Sequence, residues 1–411
     1  MPSLSDKLKS LGVKIGPSDL PQPRPKNPYT IESVLGGSIV QTPLGETYTV
    51  DSFYPPDYQH GNQRLWANPS LEAIATWAAD DRIRHLNSSQ YAFLDTETTG
   101  LSGGTGTYAF LVGVARFEQD TFHISQFFMR DPSEEQALLL AIEQFLAPCR
   151  AVVTYNGKAF DMPLLATRFI AQGWVRPFQA MSHIDLLHLA RRLWRDRLPS
   201  RTLSNLEVQI LGTSRSQADV PGWMIPEIYF EYLRSGDARP IQGVFYHNAM
   251  DVLSLAALFN YCASILAEPL NGTVNNVTDL TALGKLYEAL GDQKVAVDIY
   301  RHAIQLDATE STLLEAVIRL AAVYKRQDDY TNAVPLWEKL AGFHHIEAHV
   351  ELAKYYEHRL HDYPEAARLT QAAITHVRSS NLTGYERNLW LKDLEHRLDR
   401  INRKTDIQKR K

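Results

Sequence analysis

Two carboxylates, Asp95 and Glu97, interrupt an otherwise apolar stretch, YAFLDTETTGLSGGTGTYAFLVGVARF, from Tyr91 to Phe117. Side chains alternate faces along a strand, so acids two positions apart are expected to stand together at its end. Two further acids follow in chain order. Asp161, in TYNGKAFDMPLLATRFI, lies directly after the apolar strand AVVTYN and just before a helix with Pro163 in its first turn. Asp251 sits on the apolar-periodic helix GVFYHNAMDVLSLAALFNYCASIL, with His247 one turn earlier on the same face. Four carboxylates around one sheet end repel one another and need cations, and hard oxygen ligands suit Mg²⁺ or Mn²⁺. Two such ions about 3.5–4 Å apart would activate a water and stabilise the leaving 3′-oxygen in phosphodiester hydrolysis. The expected metal ligands are therefore Asp95, Glu97, Asp161 and Asp251. His247 is expected to orient or deprotonate the attacking water, because imidazole titrates near neutral pH. The turn after Glu97, with Thr98, Thr99 and Leu101, is expected to present small side chains and backbone N–H groups to a nucleotide.

These positions demand a sheet with helices on it. The pattern predicts strands over 91–95, 108–117, 121–129, 151–155 and 181–185, helices over 133–147 and 161–172, and several helices up to about residue 268. Three adjacent strands followed by alternating helices and strands indicate an α/β domain with a mixed sheet. Before it, residues 1–90 read as an extended arm with the polyproline-like segment PQPRPKNP, then a hairpin in GGSIVQTPLGETYTVDSFY that forms an accessory sheet. After the polar linker EPLNGTVNNVTD (268–279) only helical patterns remain, and the linker implies two cores that fold largely independently.

The helical part repeats itself. Leu283, Gly284, Tyr287, Ala296, Tyr300 and Ala303 have the small-and-large spacing of a tetratricopeptide repeat; Leu320, Ala321, Tyr324, Ala333 and Trp337 form a second copy. A third, with Leu352, Ala353, Tyr356, Ala366 and Ala373, carries one extra residue in its turn. These repeats occupy 279–378, and residues 379–411 read as a capping helix with a basic end. Stacked helix pairs of this kind make a concave surface suited to a protein partner.

Composition narrows the classes. The chain has 411 residues, too many for one ordinary core, and a formal net charge of −5, so nucleic-acid contact must come from a local patch. Cys149 and Cys262 offer neither a disulfide framework nor a zinc spacing. No signal-peptide core is present at the start and no apolar run approaches a membrane span, so a cytoplasmic protein without a membrane partner is expected.

DTETTGL resembles the first motif of the DnaQ-like, or DEDD, 3′→5′ exonucleases, and YNGKAFDMP is similar to their second motif in its polymerase-proofreading form. HIDLLHLARRLWRDRLPSRTLSNLE resembles the segment between the second and third motifs. The loop LSGGTGTYAFLVG, the segment DVPGWMIPEIYFEYLRSGD and the C-terminal repeats together resemble the YprB family of RNase H-like proteins. The resemblance covers 91–268 for the exonuclease part. It implies an RNase H-like fold, two divalent ions, and 3′→5′ hydrolysis of single-stranded DNA or RNA with a slight preference for DNA. The third motif departs from the family pattern, which has Tyr four residues or His five residues before the last Asp. Here His247 is at minus four and Tyr246 at minus five.

Some residues carry two meanings. Asp185 is either a fifth acid of the site or a helix N-cap, and Asn156 either contacts substrate or closes the loop before Asp161. Arg191, Arg192, Arg195, Arg197 and Arg201 form either a phosphate-binding patch or a solvated face. Tyr155 and Phe160 either stack on a terminal base or belong to the core. Two other functions share these features: an RNase H-like endonuclease or resolvase, and a binding scaffold that recruits proteins through its repeats.

Overall fold

The computed structural model describes residues 28–66, 69–100, 106–175, 178 and 180–409. Its centre is a seven-stranded mixed sheet in the order β1-β2-β7-β6-β5-β8-β9. The meander β5 (Tyr91–Thr98), β6 (Ala109–Glu118) and β7 (Thr121–Phe128) is antiparallel, and β8 (Ala151–Thr154) and β9 (Ser182–Asp185) add in parallel beside β5. The expected strands are thus present to within a few residues.

The N-terminal hairpin corrects the expectation of a separate accessory sheet. β1 (Ser38–Thr42) and β2 (Gly45–Tyr54) continue the main sheet, because β2 pairs antiparallel with β7 from Tyr48↔Phe128 to Tyr54↔Phe122. β7 would otherwise present an unpaired edge, and the hairpin covers it. A small two-stranded ribbon, β3 (Gln59–His60) and β4 (Gln63–Arg64), follows.

The two faces of β5 bury different cores, as period-2 alternation requires. Tyr91 and Phe93 pack with Val252, Leu255 and Phe259. Ala92 and Leu94 pack with Leu138, Leu139, Leu164 and Leu165 on the other face. The helices involved are α1 (Glu135–Leu146), α2 (Asp161–Ala171), α3 (Leu186–Trp194), α4 (Ile225–Ser235) and α5 (Ile241–Ala267). Helix α5 also corrects the sequence expectation about apolar runs: by length and composition it is apolar enough to cross a membrane. Most of it is buried inside the fold, which accounts for its all-round hydrophobicity.

Consecutive helices fill the C-terminal region: α6 (Val277–Leu290), α7 (Gln293–Ala303), α8 (Glu310–Arg326), α9 (Tyr330–Gly342), α10 (Ile346–Tyr355), α11 (Tyr363–Ser379) and α12 (Gly384–Lys409). The recurring positions lie on successive helices. Gly284 is small because a Cβ there would meet the Tyr300 ring at 2.4 Å. The extra residue expected in the third copy falls beside a π-helical turn at Tyr356–Leu360, whose wider winding takes up one residue.

The linker does not separate two cores. One continuous apolar cluster runs from Leu65 through Leu266 and Val274 to Leu283, Tyr300 and Leu369. Tyr287 donates its hydroxyl to the Leu266 carbonyl, and Arg197 pairs with Asp279 at 2.7 Å. Composition suggested a tether, yet Val274 and Val277 within it are buried. Cutting the chain after Glu268 therefore exposes core. We expect the 1–268 fragment to melt at least about 10 °C below the full chain or to aggregate, given about 1.5–3 kcal/mol per exposed large apolar side chain. Equal melting temperatures in scanning fluorimetry would contradict the shared core.

Candidate metal centre

Asp95 and Glu97 occupy the last turns of β5's pleat on the face that carries Tyr91 and Phe93, so they look toward α5 and Asp251. Asp161, the first residue of α2, comes from the opposite layer. Thr96, on the intervening position of β5, meets it: Thr96 Oγ1 donates to Asp161 Oδ1 at 2.5 Å. The sheet end thus collects acids from both of its faces. One oxygen each of Glu97 and Asp251 and one ring nitrogen of His247 lie within 4.8 Å of one another.

The register on α5 follows from helix geometry. His247, four residues before Asp251, has Nε2 3.4 Å from Asp251 Oδ2. Tyr246 is turned away, and its hydroxyl accepts the Ser216 N–H at 2.9 Å. Asn248, at minus three, is buried and donates to Asp95 Oδ2 at 2.9 Å, while Gln126 Nε2 donates to Asn248 Oδ1 at 3.0 Å.

Crowding dominates the electrostatics. Burial, reinforced by the charges of Asp251, Glu97 and Asp161, pushes the Asp95 carboxyl well above the usual carboxylate range. Burial with Asp251 and Asp161 does the same to Glu97. Burial lifts Asp161 to about 6 although the Thr96 hydroxyl works against it. Asp251 is raised by burial too, against the pull of Arg215 and His247. Hard carboxylate oxygens with one imidazole, in a pocket that disfavours their charge, form a donor set that fits Mg²⁺ or Mn²⁺.

Beside the acids lies a cavity of about 610 Å³ lined by Thr96, Glu97, Thr98, Phe160, Asp161 and Pro226, among others. Phe160 is 54% exposed on its wall, and Trp223, next to the lining residue Gly222, is 78% exposed. Thr98 lines this cavity and donates its hydroxyl to Gly100 O at 2.9 Å. Thr99 closes the turn, its hydroxyl accepting the Tyr108 N–H at 3.0 Å. Leu101 falls outside the described residues.

The other ambiguous residues divide. Asp185 is an N-cap, accepting the N–H groups of Leu187, Asn156 and Lys158 at 3.1, 2.8 and 3.0 Å. Asn156 has φ +64° and serves the loop through that backbone bond. Tyr155 packs against the core and donates to the Arg201 carbonyl. Arg191 and Arg192 are exposed on α3 and are not among the cavity's lining residues. Arg197 is taken by Asp279 and Arg201 by the Leu198 carbonyl.

Sequence reasoning missed Arg215, Glu207, Asp219 and Asn248. Arg215 bonds both oxygens of Glu207 and one of Asp251, and Asp219 Oδ1 lies 2.8 Å from His247 Nδ1. Asn248 was detectable, being one turn from Asp251. So was its neighbour Gly113, since a glycine inside a strand signals close approach, here by Asn248 opposite Asp95. Arg215 and Asp219 lie in irregular backbone that carries no periodic pattern, and Glu207 opens a π-helical turn whose period differs from that of an α-helix.

Residues 92–263 match the RNase_H superfamily. The protein YprB of Bacillus subtilis strain 168, itself uncharacterized, is 32% identical over 336 residues, covering 78% of this chain and 79% of its own. Among solved structures, the family B DNA polymerase of the hyperthermophilic archaeon Pyrobaculum calidifontis aligns with 48% of this chain and 29% of its own, at 15% identity and a TM-score of 0.35.

Two outcomes are expected. A Cβ on Gly113 would lie 2.1 Å from Asn248 Oδ1, so Gly113→Ala should cost about 1–3 kcal/mol, read by denaturant unfolding. Adding Asn248→Ser should recover part of it; strictly additive losses would contradict the contact. The second concerns pH. Asp161 has a folded pKa above its ordinary 3.8, so the folded, metal-free state takes up this proton first and gains stability as pH falls from about 6 toward 3.8. In EDTA, Asp161→Asn should therefore melt above wild type at neutral pH, with the gap closing through that window. A gap that is constant with pH would refute the assignment.

Proposed function

This chain belongs to the YprB family and carries an RNase_H superfamily domain, and from that premise we propose that it is a metal-dependent 3′→5′ exonuclease acting on single-stranded nucleic-acid ends, with a slight preference for DNA. The observation that carries the proposal is the grouping of Glu97, His247 and Asp251 within 4.8 Å, beside Asp95 and Asp161 and next to an open cavity. Divalent ions, when bound, would supply Lewis-acid stabilisation of the reacting phosphate and a reactive water.

The chain's own residues have separable tasks. Asp95, Glu97, Asp161 and Asp251 would hold the ions. His247 would orient the attacking water through Nε2, with Asp219 at Nδ1 fixing the ring. Thr98 and Phe160 line the cavity where a terminal nucleotide would sit, and the exposed Phe160 ring offers a base a stacking surface. Arg191 and Arg192, exposed on α3, would meet backbone phosphates farther along the strand. Thr99 and Asn156 would contact the nucleotide from the turns they belong to. The helical region, read as tetratricopeptide repeats from its recurring buried positions, would dock a protein partner.

The test uses single strands of DNA and RNA labelled at either end. With Mn²⁺ the protein should release nucleotides stepwise from the 3′ end, and EDTA, Asp95→Asn or Asp251→Asn should abolish release. His247→Ala should slow it by about 10²–10⁴-fold while metal binding persists. Cleavage of a circular single strand would overturn the exonuclease assignment in favour of an endonuclease.

A further inference from the structure

Arg215 sits in a stretch without regular secondary structure, yet its side chain is 10% exposed and that of Glu207 beneath it 2%. Its Nε and Nη2 donate to Glu207 Oε2 and Oε1 at 2.8 and 2.6 Å, a two-point bond that fixes the plane of the guanidinium. The opposite edge faces the acids. Nη2 also donates to Asp251 Oδ1, and Nη1 lies 3.2 Å from His247 Nδ1 and 3.6 Å from Asp219 Oδ2. Burial opposes the Arg215 charge, but Glu207 and Asp251 outweigh it and hold the group protonated.

The loop is braced rather than free to swing. Asn62 donates its N–H to Leu211 O at 2.8 Å and its side-chain amide to Ile210 O at 3.1 Å, and Tyr246 holds Ser216. A buried ion pair gains little net stability, because desolvation offsets its Coulomb attraction. Stability alone therefore does not explain why a braced guanidinium is pressed against an acid of the candidate metal centre.

We propose that Arg215 is a resident counter-ion of the metal centre. Resting on the metal-dependent nuclease assignment above, it holds Asp251 by Oδ1 when no divalent ion is bound and competes with the ion for that oxygen. Asp251 Oδ2, on the His247 side, remains available. The centre thereby stays assembled without its ion, and it binds the ion more weakly than four bare carboxylates would.

The test is Mn²⁺ affinity by isothermal titration calorimetry on the full chain, with folding checked by circular dichroism and thermal melting. Arg215→Gln leaves Glu207 buried and unpaired, so the pair is also removed together as Arg215→Met with Glu207→Gln, which conserves the net charge of the pair. Either folded variant should bind Mn²⁺ about 10- to 100-fold more tightly than wild type, the ratio set by one charge-assisted hydrogen bond. On the unaltered protein, the Arg215 Nε–H resonance should shift on adding Mg²⁺ as the contact with Asp251 loosens. Unchanged or weaker Mn²⁺ binding in the folded double variant overturns the proposal, as does a resonance indifferent to Mg²⁺ if neither variant folds. If wild type binds Mn²⁺ and degrades labelled strands, such a result removes only the counter-ion role. Absence of Mn²⁺ binding and of cleavage in every form overturns the nuclease assignment itself.

Discussion

Repulsion between carboxylates gathered at the end of β5 is the constraint that the surrounding structure answers. Asp95, Glu97, Asp161 and Asp251 all have raised pKa values, each primarily through burial. A fold that brings them together must hold each one by something other than its neighbours. Asn248 holds Asp95, the Thr96 hydroxyl holds Asp161, and Arg215 holds Asp251. Each holder is itself held: Asn248 by Gln126, Arg215 by Glu207. Three of the four acids therefore have assigned partners: Thr96 from β5 and Asn248 from α5, which build the two cores, and Arg215 from a loop that Glu207 anchors.

This explains why the N-terminal region matters to a site it does not line. The β3–β4 ribbon lies behind the loop that carries Arg215. Gly61 there admits no side chain, because a Cβ would lie 2.1 Å from Leu211 O, and Asn62 donates its N–H to that same carbonyl and its side-chain amide to Ile210 O. His60, buried, meets Ser254 of α5 at 2.8 Å, tying the ribbon to the helix that bears Asp251. The ribbon thus braces two of the elements that meet at the metal centre.

What was legible in the sequence was whatever has a period. Asp95 and Glu97 share a face because strands alternate, and His247 faces Asp251 because helices turn every 3.6 residues. The strands and helices that place them emerge from the same two periods. The bonds of Arg215 to Glu207, Asp219 and Asp251 come from a loop, where no period links separation to proximity. The hairpin β1–β2 was legible as a hairpin, but its pairing with β7 is a long-range choice that only the unpaired β7 edge explains. The 268–279 segment misled for a different reason: its polar composition suggested a tether, while two buried valines insert it into the shared core.

The π-helical turn at Tyr356–Leu360 bears on the far end of the chain. It carries Glu357, 1% exposed, which is met by Arg397 at 3.3 Å, Arg400 at 2.8 Å and Lys404 at 2.9 Å, all from α12. Burial works against this carboxylate's charge, but Arg400 and Lys404 prevail and bring its pKa down to about 2. A depressed carboxylate stabilises the fold above its unfolded pKa and fails only as pH falls toward the folded value. The extra residue that broke the repeat's spacing thus sits beside an anionic socket. The last helix plugs into it with three cations, a fastening that mild acid leaves closed.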